Sequence, residues 1–379
     1  MIYMDNSATS YPKPQSVRDA VVKSFDTAFA NPGRSSHSAA YSTAAELYRA
    51  RECVAEFVNT VPENVVFTYN ATYALNMAIH GVVKKGMHIA TTLFEHNSVL
   101  RPLYASEREK EVTLHFLNCD TQDKSVLTSD FERMLKSPEK PSVLVMTHTS
   151  NVTGGKMPVE KMGRLCRENG VIFILDASQG LGAARVDMEK MGVGILCTSG
   201  HKGLFGITGS GFMAISKEFN KRIAPIISGG SGIMSHEREM PSFLPERLEA
   251  GTVGMAGIVS VRAGIDYING VTSEYIAKKT SALRKRLIEG ISTVKGIRLY
   301  APETDSVSVV LFNLSPFPSE TVARLLDEEG VCVRAGFHCA PLAHDFLDTG
   351  GAVRLSLSVF NTEEECDRVL LALEKISRL

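Results

Sequence analysis

The sequence predicts an α/β fold: a mostly parallel sheet sandwiched by helices, joined to a smaller α+β lobe. Three observations carry this. Short apolar runs of strand length alternate with helical patterns from residue 65 onward. Those runs are continuous rather than alternating, which marks strands buried on both faces. Near Gly254 the pattern changes to long helical segments followed by strand-like runs. At 379 residues and 44% hydrophobic residues, the chain is long enough for two units of roughly 150 residues each. The large unit is expected over 15–260, and the small one over 1–14 and 261–379.

Taken in order, Val65–Thr68 (VVFT) leads into a helix-like ATYALNMAIHGVV, and His88–Thr92 (HIATT) into NSVLRPLYASERE. Residues 142–147 (SVLVMT) precede a glycine turn and the helical VEKMGRLCRENG, and 171–175 (VIFIL) follow at once. Residues 194–198 (GILCT) and Gly211–Ile215 (GFMAI) complete the large sheet. Helical patterns then cover 256–294. SVSVVLFNL reads as a strand, 319–329 as a helix, and VCVRAG and AVRLSLSVF as strands. The last helix opens on a capping box, with Thr362 at its start and Glu365 three residues on. Val369, Leu370, Leu373 and Ile376 give it one apolar face.

Composition excludes several classes. Lys plus Arg total 41 against 42 Asp plus Glu, a net charge of -1, so no basic surface for nucleic acid or an anionic membrane is expected. Cys53, Cys119, Cys166, Cys197, Cys332, Cys339 and Cys366 are odd in number and form no C-x-x-C pair. This pattern suits reduced thiols in the cytoplasm, not a disulfide framework or a zinc site. No metal is expected. The N-terminus carries no signal-peptide pattern, and no apolar run approaches the roughly 20 residues that span a bilayer.

Four stretches carry candidate chemistry. In TSGHKGLFGITGSGFMAI, Lys202 sits in a glycine-rich turn between apolar strands, with Ser199 and His201 beside it. Alone, a loop lysine is usually solvated; in such a turn it can form a Schiff base with a carbonyl cofactor. In LDASQG, Asp176 ends a strand at the edge where α/β ligands bind. It reads either as a turn or cap residue or as the partner of a pyridine nitrogen, with Gln179 in reach of a ring oxygen. FTYNATYALN places a helix start at Ala71 and Thr72, which is an ordinary capped start at Asn70 or a phosphate cradle. In FEHNSVL, His96 is a structural histidine or one that stacks on a planar cofactor.

VRAGFHCAP holds the remaining question: Cys339 is a metal ligand, a packing residue or a nucleophile. Two other motifs fail. Gly206, Gly209 and Gly211 give G-x-x-G-x-G rather than the dinucleotide fingerprint, and Gly154-Gly155-Lys156 lacks the Walker spacing.

The order MDNSAT, NPGRSSH, FTYNAT, EHNS, SNVTGG, DASQ, SGHK, EAGT, RAGFHCAP, RLSLSVFNT resembles that of class V (fold type I) pyridoxal-phosphate enzymes. It is most similar to cysteine desulfurases of the Suf-type (group II) branch, related to selenocysteine lyases. The resemblance covers nearly the whole chain. It implies a fold type I transferase that uses pyridoxal 5'-phosphate to take sulfur from L-cysteine, with L-alanine and a persulfide on Cys339 as products. The alternatives on the same scaffold are an L-selenocysteine lyase or another class V lyase or aminotransferase.

By that resemblance, Lys202 would carry the cofactor, Asp176 and Gln179 would hold its ring nitrogen and hydroxyl, and His96 would stack on it. Ala71, Thr72, Ser199 and His201 would hold the phosphate, joined by Thr252 from a second subunit of a homodimer. Asn151 and Arg354 would grip the substrate carboxylate, and Arg334 and Arg34 would line the entrance. His338 and Arg334 would favour the Cys339 thiolate, and a sulfur-acceptor protein would follow. The chain departs from the family pattern at Asn70 and Ala71 (usually Gly and Thr or Ser), at Ile207 (usually Pro), at Gly33, and at Phe337, where a histidine is common.

Overall fold

The computed structural model describes residues 1–33, 36–122, 124–300 and 307–379. The chain opens with β1 (Ile2–Tyr3), α1 (Gln15–Thr27) and α2 (Ser38–Val58). Then come β2 (Val65–Thr68), α3 (Ala71–Val82), β3 (His88–Thr92), α4 (Asn97–Lys110), β4 (Thr113–Leu117) and α5 (Thr128–Met134). β5 (Val143–Thr147), α6 (Val159–Asn169), β6 (Ile172–Asp176), α7 (Met188–Met191), β7 (Ile195–Ser199) and β8 (Gly211–Ile215) follow.

Strands β2 to β8 form one seven-stranded sheet in the order β2-β8-β7-β6-β5-β3-β4. Only β8 runs against its neighbours, antiparallel to β2 and β7; the other neighbouring pairs are parallel. Strands β5 to β8 are buried along their whole length, which is why they read as unbroken apolar runs. Successive residues feed opposite faces. In β5, Leu144 and Met146 join one core cluster while Val143 and Val145 join the other. The edge strand β4 escaped the sequence reading because only Leu117 in it is fully buried.

Helices α8 (Met255–Val271) and α9 (Ser273–Ile291) follow, and the expected boundary at 260/261 lies inside α8, whose buried residues join the core of the large sheet. The long helical pattern breaks at Thr272, whose φ is +73° and whose hydroxyl accepts from the Tyr275 amide to start α9. β9 (Ile297–Leu299), β10 (Val309–Leu314), α10 (Ser319–Glu328), β11 (Val331–Cys332), β12 (Arg334–Gly336), α11 (Pro341–Leu347), β13 (Ala352–Ser356) and α12 (Glu363–Ile376) complete the chain. The run VCVRAG is not one strand. β11 pairs in parallel with β1, whereas β12 joins the antiparallel sheet β12-β13-β10-β9. The capping box at Thr362 and Glu365 is formed. Along α12, Cys366 and Ala372 are buried with Val369, Leu373 and Ile376, and Leu370 is only partly so.

One helix sets the position of the lysine turn. Helix α8 packs against α1 and α2 on one side and touches the 203–206 turn on the other. A Cβ on Gly264 would lie 1.8 Å from the Leu204 carbonyl oxygen. Gly264→Ala is therefore expected to cost about 2–3 kcal/mol, measured as a lowered urea midpoint.

Candidate active site

The parallel strands end along one edge of the sheet, and the polar residues beyond those ends converge there. A cleft of about 320 Å³ is lined by Ala71 and Thr72 after β2, His96 after β3, Asn151 after β5, Asp176 and Gln179 at β6, and Ser199, His201 and Lys202 at β7. Arg334 and Arg354 reach it from the small sheet, and Ser7 and Ala8 from the N-terminal segment.

One end of the cleft is built for an anion. Asn70 caps α3 by accepting from the Tyr73 amide, and the amides of Ala71 and Thr72 find no acceptor among the described residues. They therefore present a helix N-terminus to the cleft. Ser199 Oγ and His201 Nδ1 are buried without a hydrogen-bond partner in the protein. Burial lowers the His201 pKa to about 4, with Lys202 and Lys13 nearby reinforcing the shift, so the ring is neutral at pH 7.

At the centre, burial pushes the Lys202 ammonium down to about 8, against the opposing pull of Asp176. Asp176 is 4% exposed. Its Oδ1 accepts from the Ser178 amide and hydroxyl, and no described residue donates to Oδ2. The His96 ring caps α4: its Nδ1 accepts from the Ser98 amide at 3.0 Å. Its proton therefore sits on Nε2. Burial first, then Lys202, hold its pKa near 4. Gln179 Nε2 donates to the Ser7 carbonyl at 3.0 Å.

The other end is cationic. Arg354 is 1% exposed and donates from Nη1 to the Asn151 carbonyl at 3.1 Å and from Nη2 to Asp5 Oδ1 at 2.8 Å; its Nε is buried without a partner. Arg334 lies directly across the strand pair from it. Arg334 Nη2 donates to Cys339 Sγ at 3.8 Å, and Cys339 is exposed at the rim. His338 and Cys339 both have positive φ, +49° and +56°, a conformation that costs a non-glycine residue roughly 1–2 kcal/mol. Their carbonyls are held by Asn151 Nδ2 at 2.8 Å and by the Asn97 amide at 2.7 Å.

The structure corrects one expectation. His338 cannot supply positive charge to Cys339: it is 3% exposed, and burial, aided by Arg354, drives its pKa down to about 2. Arg334 alone of the two makes a cationic contact with the sulfur. Thr252 does not line the cleft of its own chain. It is exposed and accepts from Asn31 Nδ2 at 3.2 Å. Arg34 lies outside the described residues.

Five other thiols lie deeper in the protein than the exposed Cys339. Burial pushes Cys53 and Cys366 up to about 12 and Cys119 up to about 11, and raises Cys166 and Cys197 as well.

Sequence reasoning passed over Asp5, Lys13 and Glu95. The first two lie in a segment that touches the site only through tertiary contacts. Asp5 pairs with Arg354, and Lys13 Nζ donates to the His201 carbonyl at 2.8 Å. Glu95 stood in plain view beside His96, but only its complete burial distinguishes it.

Residues 2–369 match the aminotransferase class-V family model. A probable cysteine desulfurase of Pyrococcus abyssi is 35% identical, over 99% of this chain and 94% of that protein. One of Methanothermobacter thermautotrophicus is 32% identical with the same coverage. A solved apo structure of a cysteine desulfurase from Thermococcus onnurineus NA1 has a TM-score of 0.93 at 31% identity, covering 100% of this chain and 94% of that chain. The chain belongs to the aminotransferase class-V family, with the fold type I architecture and the pyridoxal-phosphate dependence that go with it.

The cleft fits that cofactor. The unpartnered Ser199 Oγ and His201 Nδ1 beside a helix N-terminus suit a phosphate, Asp176 offers a free carboxylate oxygen, and Lys202 a readily deprotonated amine.

Glu95 yields a test of the electrostatics around this cleft. Its Oε1 accepts from Thr92 Oγ1 at 2.6 Å and from the Thr147 amide at 3.0 Å, and Oε2 is buried alone. Burial pushes its carboxyl from 4.5 up to about 8. The folded state thus holds a proton that the unfolded chain releases above 4.5. Its contribution to stability is full below that value and is lost as pH rises toward 8. Glu95→Gln is expected to flatten the decline of the urea midpoint between about pH 5 and 8.

Proposed function

We propose that this protein is a pyridoxal-phosphate-dependent cysteine desulfurase that converts L-cysteine to L-alanine and leaves a persulfide on Cys339. The observation that carries the reading is the placement of Cys339 Sγ on Arg334, at the rim of a cleft that also holds Lys202, Asp176 and Arg354. The names of the relatives support it.

Ala71, Thr72, Ser199 and His201 would hold the phosphate, together with Thr252 of the partner subunit in a homodimer. Asp176 would face the ring nitrogen, Gln179 the ring hydroxyl, and His96 the ring plane. When bound through Lys202, the cofactor supplies an electron sink that loosens the bonds around the substrate Cα. Arg354 and Asn151 would hold the substrate carboxylate and Arg334 and Arg34 its approach. Lys202, with its pKa lowered to about 8, has neutral amine available to take the Cα proton near neutral pH. Cys339 then attacks the substrate sulfur. An S–S bond forms, the Cβ–S bond breaks, and its electron pair returns to the three-carbon skeleton, which leaves as alanine after protonation.

We read the protein as cytoplasmic, consistent with its unpaired cysteines, and as a sulfur donor to an acceptor protein such as those of iron–sulfur cluster assembly. Among the described residues no helix is long and apolar enough to cross a membrane.

Two substitutions separate the parts of this reading. Lys202→Ala should remove both the yellow colour of the bound cofactor and all turnover. Cys339→Ala should keep the colour and lose cysteine turnover by ~10³-fold or more, with no added sulfur seen by mass spectrometry. Full cysteine turnover in Cys339→Ala would sink the sulfur-acceptor assignment. Selenocysteine turnover that survives in Cys339→Ala while cysteine turnover is lost in it is the pattern expected of a selenocysteine lyase.

A further inference from the structure

Beneath the cysteine loop runs a line of buried side chains that the proposed reaction does not use. His338, His344 and Thr349 are all buried. His338 Nε2 lies 3.3 Å from the Arg334 carbonyl oxygen. A carbonyl only accepts, so the His338 proton is on Nε2. Its Nδ1 is then a bare acceptor, and His344 Nε2, 3.1 Å away, must donate to it. That leaves His344 Nδ1 bare in turn, so the Thr349 hydroxyl donates to it at 2.6 Å. Thr349 Oγ1 accepts from the Gly351 amide at 3.1 Å. Each bond has one allowed direction while both rings are neutral. Burial, by lowering His338 to about 2 and His344 to about 4, keeps them neutral at pH 7.

This line joins two functional strands. It starts at Gly351, next to β13, which carries Arg354. It ends on the carbonyl of Arg334, whose guanidinium meets Cys339 Sγ. Between these ends stand His338 and Cys339, in consecutive left-handed conformations. Such a pair persists only where its surroundings over-determine it. Asn151 and Asn97 fix the two carbonyls, but neither fixes the His338 ring. The ring is held at Nε2 by the Arg334 carbonyl and at Nδ1 by His344, the one side chain among the described residues hydrogen-bonded to it.

The geometry points to His344 as a positioning residue for sulfur capture: donating to His338 and accepting from Thr349, it locks the left-handed pair and keeps Cys339 Sγ against Arg334. This inference rests on the reading of Cys339 as the sulfur acceptor. A glutamine at this position has an amide nitrogen to donate and an amide oxygen to accept; a leucine has neither.

The test uses the holoenzyme and the variants His344→Leu, His344→Gln and Thr349→Val. Single-turnover persulfide formation on Cys339, followed by mass spectrometry, is expected to slow about tenfold in His344→Leu and to recover to within about threefold in His344→Gln. L-cysteine binding, read from the cofactor absorbance, should be unchanged in both. Thr349→Val, which leaves both rings in place but removes the donor that fixes them, should slow capture severalfold.

A wild-type rate in His344→Leu, or a His344→Gln variant as slow as the leucine, overturns the inference. If His344→Leu fails to fold, a wild-type rate in Thr349→Val overturns it. Iodoacetamide alkylation of Cys339 keeps the two readings apart. If the unaltered protein forms no persulfide, the desulfurase reading fails. His344 as a positioning residue then stands or falls on whether His344→Leu shifts the alkylation rate at least about threefold and His344→Gln restores it.

Discussion

A buried guanidinium has to be matched by charge and by acceptors, and Arg354 finds them in two different parts of the chain. Asp5 supplies the charge from the N-terminal segment, and the Asn151 carbonyl supplies an acceptor from the loop after β5. Removing one partner of such a buried pair typically costs about 3–5 kcal/mol. The interaction therefore fixes the small sheet, the first residues and the large sheet in one arrangement. Arg334 follows, because it faces Arg354 across the β12–β13 pair. Cys339 follows in turn, because Arg334 touches its sulfur.

The N-terminal segment contributes more than Asp5. The Ser7 carbonyl accepts from Gln179. The His201 carbonyl, one residue before Lys202, accepts from the Ser10 amide, the Thr9 and Ser10 hydroxyls and Lys13 Nζ. A carbonyl held from so many sides fixes the peptide that leads into the lysine. With His96 and His201 neutral at pH 7, the positive field in the cleft comes from its arginines and from Lys202. The imidazoles act there by hydrogen bonding and shape.

Much of this was legible in the sequence, for reasons that can be traced. Strands buried on both faces announce themselves as apolar runs, so β5 to β8 could be read within a residue, and Asp176 fell at a strand end as expected. The lysine turn and the cysteine loop were legible because glycine and polar residues interrupt those runs. What sequence alone could not give were the contacts between distant segments. Asp5 meets Arg354 across most of the chain, Lys13 meets the turn of Lys202, and β1 pairs with β11. The charge state of His338 was misread for a related reason. Its position beside Cys339 is local, but the burial that neutralises it comes from the surrounding fold, with His344 stacked against it and the charge of Arg354 nearby.

The contrast among the cysteines has a consequence for a chain that handles sulfur in its reactive, zero-valent form. Such sulfur migrates between thiolates, and every accessible thiolate is a stray destination. Five of the other thiols are held protonated by the apolar matrix around them, so the protein is insulated against its own cargo. A mutation that opened a water path to Cys166, which lies outside the cleft lining, would create a leak, with sulfur parked away from the site. Where sulfur can settle is thus decided by the hydrophobic core as much as by the cysteine loop.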